Sequence, residues 1–165
     1  MSSDLTIVVP TIGRATLWRA VASVLCQTVP VEFSVVSDRD KHGCAATLNR
    51  AVLTVMTPYV AGVGDDDRLD AHFHQWFIEE NDDADLFVFT MRYPEDWNDG
   101  RELPEERDPS MWEGGDVGGS YVVRTELARR FPFATAAEDW NMIRTVRDFG
   151  FKVQVSERVA YYVRH

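Results

Sequence analysis

The sequence reaches three consecutive carboxylates at the end of a short apolar run, in Val60-Ala61-Gly62-Val63-Gly64-Asp65-Asp66-Asp67. The run favours a buried strand, because Val60 and Val63 are strand formers and Pro58 lies before its start. In open α/β sheets ligands bind beyond the carboxyl ends of the strands. Adjacent carboxylates repel one another, and oxygen ligands on a short loop suit Mg²⁺ or Mn²⁺. The alternative is a solvated acidic turn before the next helix, with Asp70 near its start.

The composition is that of a globular protein with one hydrophobic core. The 165 residues suit a single domain, and the net charge of −10 argues against a general nucleic-acid binder, which normally carries a basic face. We find no apolar run long enough for a transmembrane helix and no signal-peptide pattern at the N-terminus. We therefore expect a cytoplasmic protein, with Cys26 and Cys44 as reduced core thiols and a disulfide as the alternative.

Strands and helices alternate through the first half of the chain. Apolar runs predict strands over residues 5–9, 31–36, 59–63 and 85–91, and helical spacing predicts helices over 15–27, 43–56 and 70–80. This alternation is typical of βαβ units that build a mostly parallel sheet.

The alternation breaks at an acidic segment over residues 92–117. It holds nine acidic residues against three arginines, together with three prolines and three glycines. Loops of this length inside a domain are usually functional or disordered. Because Trp97, Met111 and Trp112 can pack onto something, we interpret the segment as a flap that faces a partner or an acceptor, the alternative being an ordinary solvated loop.

The last third returns to regular structure. A strand led by Gly118 and Gly119 spans residues 118–123, and glycines in a strand let a backbone or a ligand approach closely. A short helix over 125–130, a longer one over 137–149 and an extended segment over 152–163 follow. Glu138 and Asp139 stand at the start of the longer helix, where the macrodipole favours acids whatever their function.

The order of these features resembles the family 2 glycosyltransferases of the GT-A fold, over essentially the whole chain. Six motifs carry the resemblance: Pro10-Thr11-Ile12-Gly13-Arg14 after the first strand, Gln27-Thr28 at the end of a helix, Ser37-Asp38 after the second strand, Ala45 to Asn49 in a helix, the strand from Tyr59 to the three acids, and Glu138-Asp139. Each motif is weak alone, and the signal lies in their order.

The resemblance implies an α/β fold: a three-layer, Rossmann-like GT-A sandwich with a mostly parallel central sheet. Residues 1–165 would form one domain, with a nucleotide-sugar-binding half (1–91), the acidic flap (92–117) and an acceptor and catalytic-base half (118–165). The implied activity is inverting transfer of a sugar from a nucleotide-diphosphate sugar, preferably a UDP-sugar, with Mn²⁺ or Mg²⁺ on the diphosphate. The acceptor would be a hydroxyl of a protein, a glycan or a small molecule.

The resemblance also gives roles to matching positions. Asp139 would be the general base, and Asp38 would accept a hydrogen bond from the ring N–H of uracil or a similar base. The other donor-binding positions are Pro10, Thr11, Arg14, Asn49 and Asp65. The metal positions are Asp66, Asp67 and His165, with a terminal residue of no function as the alternative for His165. Weaker acceptor-side candidates are Trp112, Gly119, Ser120 and Glu138.

The sequence departs from the family pattern at several points. Gly64 stands where the metal motif has its first acid, so either the motif is shifted to Asp65-Asp66-Asp67 or that acid is lost. Ser37 replaces the first acid of the second-strand pair, Gly13 replaces an asparagine, and the chain is short for the family. These departures keep a catalytically silent nucleotide-sugar or sugar-binding module as an alternative. A receiver-like signalling domain fits less well, because it needs an acidic pair after the first strand, where Pro10 and Thr11 stand.

Overall fold

One eight-stranded sheet organises the computed structural model, which describes residues 3–134 and 138–163, with only the backbone of Glu138. Along the sheet the strand order is β2-β1-β3-β7-β5-β8-β4, and β6 pairs with β5. The strands are β1 (Leu5–Thr11), β2 (Glu32–Ser37), β3 (Tyr59–Gly62), β4 (Arg68–Leu69), β5 (Leu86–Arg92), β6 (Glu102–Leu103), β7 (Tyr121–Arg124) and β8 (Val153–Tyr162).

Five of the described strands run in the same direction. β1 pairs in parallel with β2 and β3, β5 pairs in parallel with β8, and β7 joins the two groups by antiparallel pairing to both β3 and β5. The carboxyl ends of β1, β2, β3, β5 and β8 therefore meet at one edge of the sheet. The antiparallel β7 begins at that same edge, directly after Gly118, Gly119 and Ser120.

Helices cover both faces of the sheet. The six α-helices of the described ranges are α1 (Leu17–Leu25), α2 (Cys44–Val52), α3 (Phe73–Glu80), α4 (Glu95–Asn98), α5 (Thr125–Arg130) and α6 (Glu138–Asp148). One buried cluster joins α1 and α3 to the sheet, and a second joins α2, α5 and α6 to its other face. Alternate residues of the same strand divide between them, as Ile7 and Val8 do in β1. The predicted three-layer α/β sandwich is confirmed.

Three local expectations from the sequence were wrong. Pro10 lies inside β1 and does not close it, since β3 pairs with β1 only as far as Val8 and leaves one side of the strand without a partner at Pro10. Both cysteines are exposed and not buried in the core: Cys26 follows the last residue of α1, and Cys44 is the first residue of α2. In both helices the face that packs against the sheet is formed by other residues.

The acidic segment is folded onto the sheet. It contains α4, β6 and a 3₁₀ turn over Pro109–Met111, and β6 pairs with the end of β5. Trp112 is buried in the α2–α5–α6 cluster and donates its indole N–H to the carbonyl of Glu106 at 2.6 Å. None of the described helices is both long and apolar enough to cross a bilayer.

Candidate functional site

Two cavities of about 240 Å³ each adjoin at the carboxyl edge of the sheet. We call the first the α2 pocket; it lies between the β1 loop and the start of α2 and is lined by Pro10, Thr11, Ile12, Arg14, Asp38, Gly43, Cys44, Thr47, Gly64, Asp65 and Asp66. We call the second the central cavity; its lining includes Met91, Tyr93, Trp97, Gly118, Gly119, Asp67, Asp139 and Tyr161. Pro10, Cys44 and Gly64 line both, so the two cavities share a wall.

Arg14 ties the β1 loop to the acids that follow β3. Its Nη1 lies 2.6 Å from Asp65 Oδ1 and 3.0 Å from Asp66 Oδ2. The buried Asp65 also accepts hydrogen bonds from Thr11 Oγ1 at 2.6 Å and from the N–H of Ile12 at 3.3 Å. Burial raises the pKa of Asp65, but the bonds from Thr11 and Arg14 outweigh it and hold that pKa below its usual range. Asp65 is therefore ionised, and its carboxylate oxygens already accept hydrogen bonds from the protein itself.

Asp67 points away from this network and into the central cavity. Its Oδ2 accepts a hydrogen bond from the Tyr161 hydroxyl at 2.8 Å, and the same hydroxyl accepts one from the N–H of Gly64 at 3.2 Å. Burial raises the pKa of Tyr161 well above its usual value, and the charge of Asp67 raises it further, so this hydroxyl remains a donor. Gly64 leaves room for this carboxylate, since a Cβ there would lie 2.7 Å from Asp67 Oδ2 and one of the two groups would have to shift.

Asp139 lies on the same cavity, in the first turn of α6. The start of β7 approaches it closely, since a Cβ on Gly119 would lie 3.4 Å from Asp139 Oδ2. Burial raises the pKa of Tyr93, and the charges of Asp67 and Asp139 add to the effect. The two carboxylates thus act on one tyrosine and share one cavity, although they are 72 residues apart in sequence.

Asp38 stands at the opposite end of the α2 pocket. Its two oxygens accept the N–H groups of His42 and Gly43, both at 2.8 Å, and so shape the loop that leads into α2. Burial raises the pKa of Asp38, but these N–H groups outweigh that effect, and the pKa lies below its usual range. A carboxylate oxygen accepts more than one hydrogen bond, so Asp38 retains acceptor capacity toward the pocket.

Three predicted site residues make structural contacts within the protein instead. The Asn49 amide holds the backbone of Phe133 by two bonds, of 2.9 and 2.8 Å, and lies on neither cavity. Ser120 is fully buried and donates to the carbonyl of Phe89, and Trp112 belongs to the core. Each expectation came from a residue type in a loop or motif, which does not reveal which way a side chain points. His165 lies outside the described residues, as does the side chain of Glu138.

Several lining residues were missed from the sequence. Tyr93, Trp97 and Tyr161 line the central cavity, and Thr47 lines the α2 pocket. Trp97 is half exposed, and its aromatic character in an acidic segment was a usable signal. Tyr161 carried no such signal, because it follows the buried Ala160 in an ordinary strand and is equally typical of a core residue.

The acids at this edge fit a hard divalent cation by the chemistry of their donors. Within the described ranges no group of three His, Cys, Asp or Glu side chains is arranged as a metal site. A cation on a nucleotide diphosphate is commonly held by one or two carboxylates together with phosphate oxygens and water, so a complete protein cage is not needed. Asp67 faces the cavity and Asp66 borders the shared wall, whereas Arg14 partly neutralises Asp66.

Comparison with solved structures gives matches along almost the whole chain. S. aureus TarS in complex with UDP-GlcNAc matches 99% of this chain and 58% of its own length, with a TM-score of 0.75 and 17% identity. The mannosyltransferase PcManGT from Pyrobaculum calidifontis, in complex with GDP-Man and Mn²⁺, matches 99% and 57%, with a TM-score of 0.73 and 15% identity. Glucosyl-3-phosphoglycerate synthase from Mycobacterium tuberculosis, in complex with Mn²⁺, UDP-glucose and phosphoglyceric acid, matches 99% and 72%, with a TM-score of 0.69 and 16% identity.

These likenesses confirm the GT-A glycosyltransferase fold that the motif order predicted. The chain spans 37 to 60% of the length of the TarS structures that it matches. No protein-family model matches the sequence, and neither does any curated protein.

Proposed function

We propose that the chain carries the donor-binding and catalytic part of an inverting, divalent-metal-dependent glycosyltransferase. One observation carries the proposal: Asp67 and Asp139, distant in sequence, line one cavity that shares a wall with a second pocket suited to a nucleotide. The complexes of similar structures with UDP-GlcNAc, UDP-glucose and GDP-Man, two of them with Mn²⁺, support the same class of donor.

Each cavity has its own part in the proposed reaction. The α2 pocket holds the nucleotide, with Asp38 accepting an N–H of the base and the Thr11–Arg14 loop against the ribose and phosphates. Asp66 and Asp67 would hold a divalent cation, which when bound would neutralise the charge that builds on the leaving diphosphate. The sugar then lies in the central cavity, between Asp67 and Asp139.

Asp139 takes the proton of the acceptor hydroxyl as that oxygen attacks the anomeric carbon. A carboxylate in the first turn of a helix stays ionised, which a general base requires. The oxygen attacks from the face opposite the diphosphate, the new bond forms as the old one breaks, and the anomeric configuration inverts.

The two cysteines make donor binding testable without turnover. Cys44 lines both cavities and is exposed, whereas Cys26 is exposed on the α1 side of the molecule, outside both. We expect UDP with Mn²⁺ to slow alkylation of Cys44 and to leave that of Cys26 unchanged, with mass spectrometry of the peptides as the readout. Equal rates at Cys44 with and without every nucleotide diphosphate tested would remove the nucleotide assignment.

Turnover then separates the proposed enzyme from a silent binding module. Arg14 supports the silent alternative, because its single positive charge pairs with Asp66, a proposed metal ligand, as well as with Asp65. Release of UDP from a UDP-sugar with Mn²⁺, followed by proton NMR of the anomeric product, supports transfer if the configuration is inverted. Protection of Cys44 with no release from any donor supports the binding module.

A further inference from the structure

A groove larger than either of the two cavities described above lies outside them, between α1 and β4. It measures about 650 Å³, and we call it the outer groove. Its lining residues are Trp18, Arg19, Ala22, Ser23, Cys26, Arg68, Leu69, Asp70, Ala71 and Tyr162. Two arginines and two aromatic rings thus surround a small-residue floor.

The two arginines of the outer groove are available to a ligand. The Arg19 guanidinium lies 5.4 Å from the centre of the Trp18 ring, and that of Arg68 lies 4.5 Å from the centre of the Tyr162 ring. Neither has a carboxylate within 4.0 Å among the residues that the structure describes, although acids outnumber basic residues 27 to 17 in the chain. Asp70, the one acid among the described residues that line the groove, accepts the His72 N–H at 2.9 Å and lies 3.1 Å from Nδ1 of the His72 ring.

The rings and guanidinium groups together suit an acidic sugar chain. Trp18 is 65% exposed, so its ring is accessible to a ligand, and a flat indole matches the apolar face of a pyranose. Guanidinium groups held over aromatic rings keep their planar edges for bidentate bonds to carboxylates. We propose that the outer groove binds an anionic oligosaccharide as the distal part of the acceptor.

Shared lining residues link the outer groove to the proposed active site. Arg68 and Tyr162 also line a side groove of about 450 Å³, and Tyr93 lines both that side groove and the central cavity. Arg68 directly follows Asp67 in the chain. A bound oligosaccharide therefore extends from the outer groove toward Asp139, and this part of the inference rests on the proposed function.

Charge along this path sets where the anionic units lie. Three acids, Glu95, Asp99 and Glu102, line the side groove against two arginines, and one of these, Arg92, is held by Glu102 in a 2.5 Å ion pair, so the excess charge there is negative. Anionic units are repelled there, so neutral units occupy the side groove and anionic units occupy the outer groove. An acceptor that alternates neutral and acidic sugars meets both requirements.

The test measures binding of hyaluronan oligosaccharides, which alternate neutral and carboxylate-bearing sugars, to the full chain without nucleotide. We expect them to slow alkylation of Cys26 and to change the fluorescence of Trp18, with an affinity that falls as salt rises. Neutral malto-oligosaccharides and polyglutamate serve as the two competing probes.

Paired charge variants make the result specific. We expect Arg19→Gln/Arg68→Gln to weaken hyaluronan binding by about a hundredfold, roughly tenfold for each charge-assisted contact. The control Arg130→Gln/Arg144→Gln removes two exposed arginines on other helices and should bind as the unaltered chain does. Trp18→Ala should weaken binding with less effect on its salt dependence.

Three results would overturn the inference. These are equal loss in both double variants, tighter binding of polyglutamate than of hyaluronan, and binding of malto-oligosaccharide as tight as that of hyaluronan. None of them depends on UDP, so failure here leaves the protection of Cys44 by nucleotide as a separate question. Conversely, if no nucleotide protects Cys44 while hyaluronan protects Cys26, the groove stands as a glycan-binding site and only its role as an acceptor site is lost.

Discussion

The Tyr161 hydroxyl holds Asp67 in the central cavity, donating to its Oδ2 at 2.8 Å while accepting the N–H of Gly64 at 3.2 Å. The two partners are 94 residues apart in sequence. This bond turns the third acid of the Asp65-Asp66-Asp67 run toward the proposed reaction site, whereas the first acid is committed to Arg14 and Thr11. The three acids therefore have different functions although they are adjacent.

Gly64 tests this arrangement directly. A Cβ at Gly64 would lie 2.7 Å from Asp67 Oδ2, so Gly64→Ala should displace the carboxylate and weaken its hydrogen bond from Tyr161. We expect a loss of up to about 1.5–3 kcal/mol in the free energy of unfolding, the scale of one hydrogen bond to a charged group. We also expect the Mn²⁺-dependent rise in melting temperature with UDP to shrink, which differential scanning fluorimetry measures.

Gly62→Ala is the matched control for Gly64→Ala. Gly62 also lines the central cavity, but its added Cβ would meet Leu48 Cδ2 at 3.5 Å, an ordinary contact. Gly62→Ala should therefore keep the Mn²⁺-dependent rise in melting temperature with UDP. If both variants keep it equally, the position of Asp67 does not matter for metal binding.

Asp139 is tested by substitution with asparagine. Asp139 is the second residue of α6, so asparagine there keeps the shape and one hydrogen-bonding oxygen and loses only the charge–macrodipole interaction, about 0.3–1 kcal/mol, but it cannot take a proton. Asp139→Asn should therefore leave stability and protection of Cys44 by UDP nearly unchanged, while the rate of sugar transfer falls by roughly 10²-fold or more. Transfer at a near-normal rate in this variant would mean that Asp139 only stabilises the start of α6.

Element type and order were predictable here because they depend on local periodicity. The predicted helix over 125–130 agrees with α5 (Thr125–Arg130), and the apolar run before the three acids is β3. Side-chain direction in the loops was not predictable, because it depends on distant partners. Trp97 and Trp112 stand in the same acidic segment with similar neighbours, yet Trp97 lines the central cavity and Trp112 is buried beneath the segment.

The candidate site was predictable as a set of motifs but not as a set of contacts. The edge where the strands end located Asp38, Asp65, Asp66 and Asp67 together, since parallel strands bring their carboxyl ends to one edge. That Arg14 would pair with two of these acids, and that a tyrosine of β8 would hold the last, depends on strand register across the sheet. Such pairings span more than 50 residues of sequence and leave no local pattern.

Because Asp65 is ionised in the folded protein, the free energy of unfolding depends on pH in the acid range. Its folded pKa lies below the unfolded value of about 3.9, so its stabilisation is complete above about pH 4 and is lost as the pH falls through the folded pKa. Asp65→Asn should therefore cost about 1–3 kcal/mol near neutral pH and little in acid, which flattens the acid limb of stability measured by urea unfolding.

The control Asp83→Asn removes an exposed partner of Arg124 and should change stability by less than about 1 kcal/mol. Parallel acid limbs for Asp65→Asn and the unaltered chain would contradict this assignment.

The Thr47 hydroxyl offers a test in which stability and binding move in opposite directions. Thr47 is buried on the α2 pocket, and among the described residues its Oγ1 has no hydrogen-bond partner. An unpaired buried hydroxyl costs about 1–3 kcal/mol, a cost that a ligand atom accepting or donating there would offset. We therefore expect Thr47→Val to raise the melting temperature of the free protein and to weaken UDP binding about tenfold by calorimetry.

Thr125→Val separates this role from a purely structural one. Thr125 is also buried, its Oγ1 also lacks a partner within the described part of the chain, and it lines neither the α2 pocket nor the central cavity. Its valine variant should gain stability in the same way and bind UDP as the unaltered chain does. If Thr47→Val and Thr125→Val bind UDP equally well, the Thr47 hydroxyl does not contact the nucleotide. A difference confined to Thr47→Val assigns that hydroxyl to the ligand, because the two substitutions delete the same group from equally buried positions.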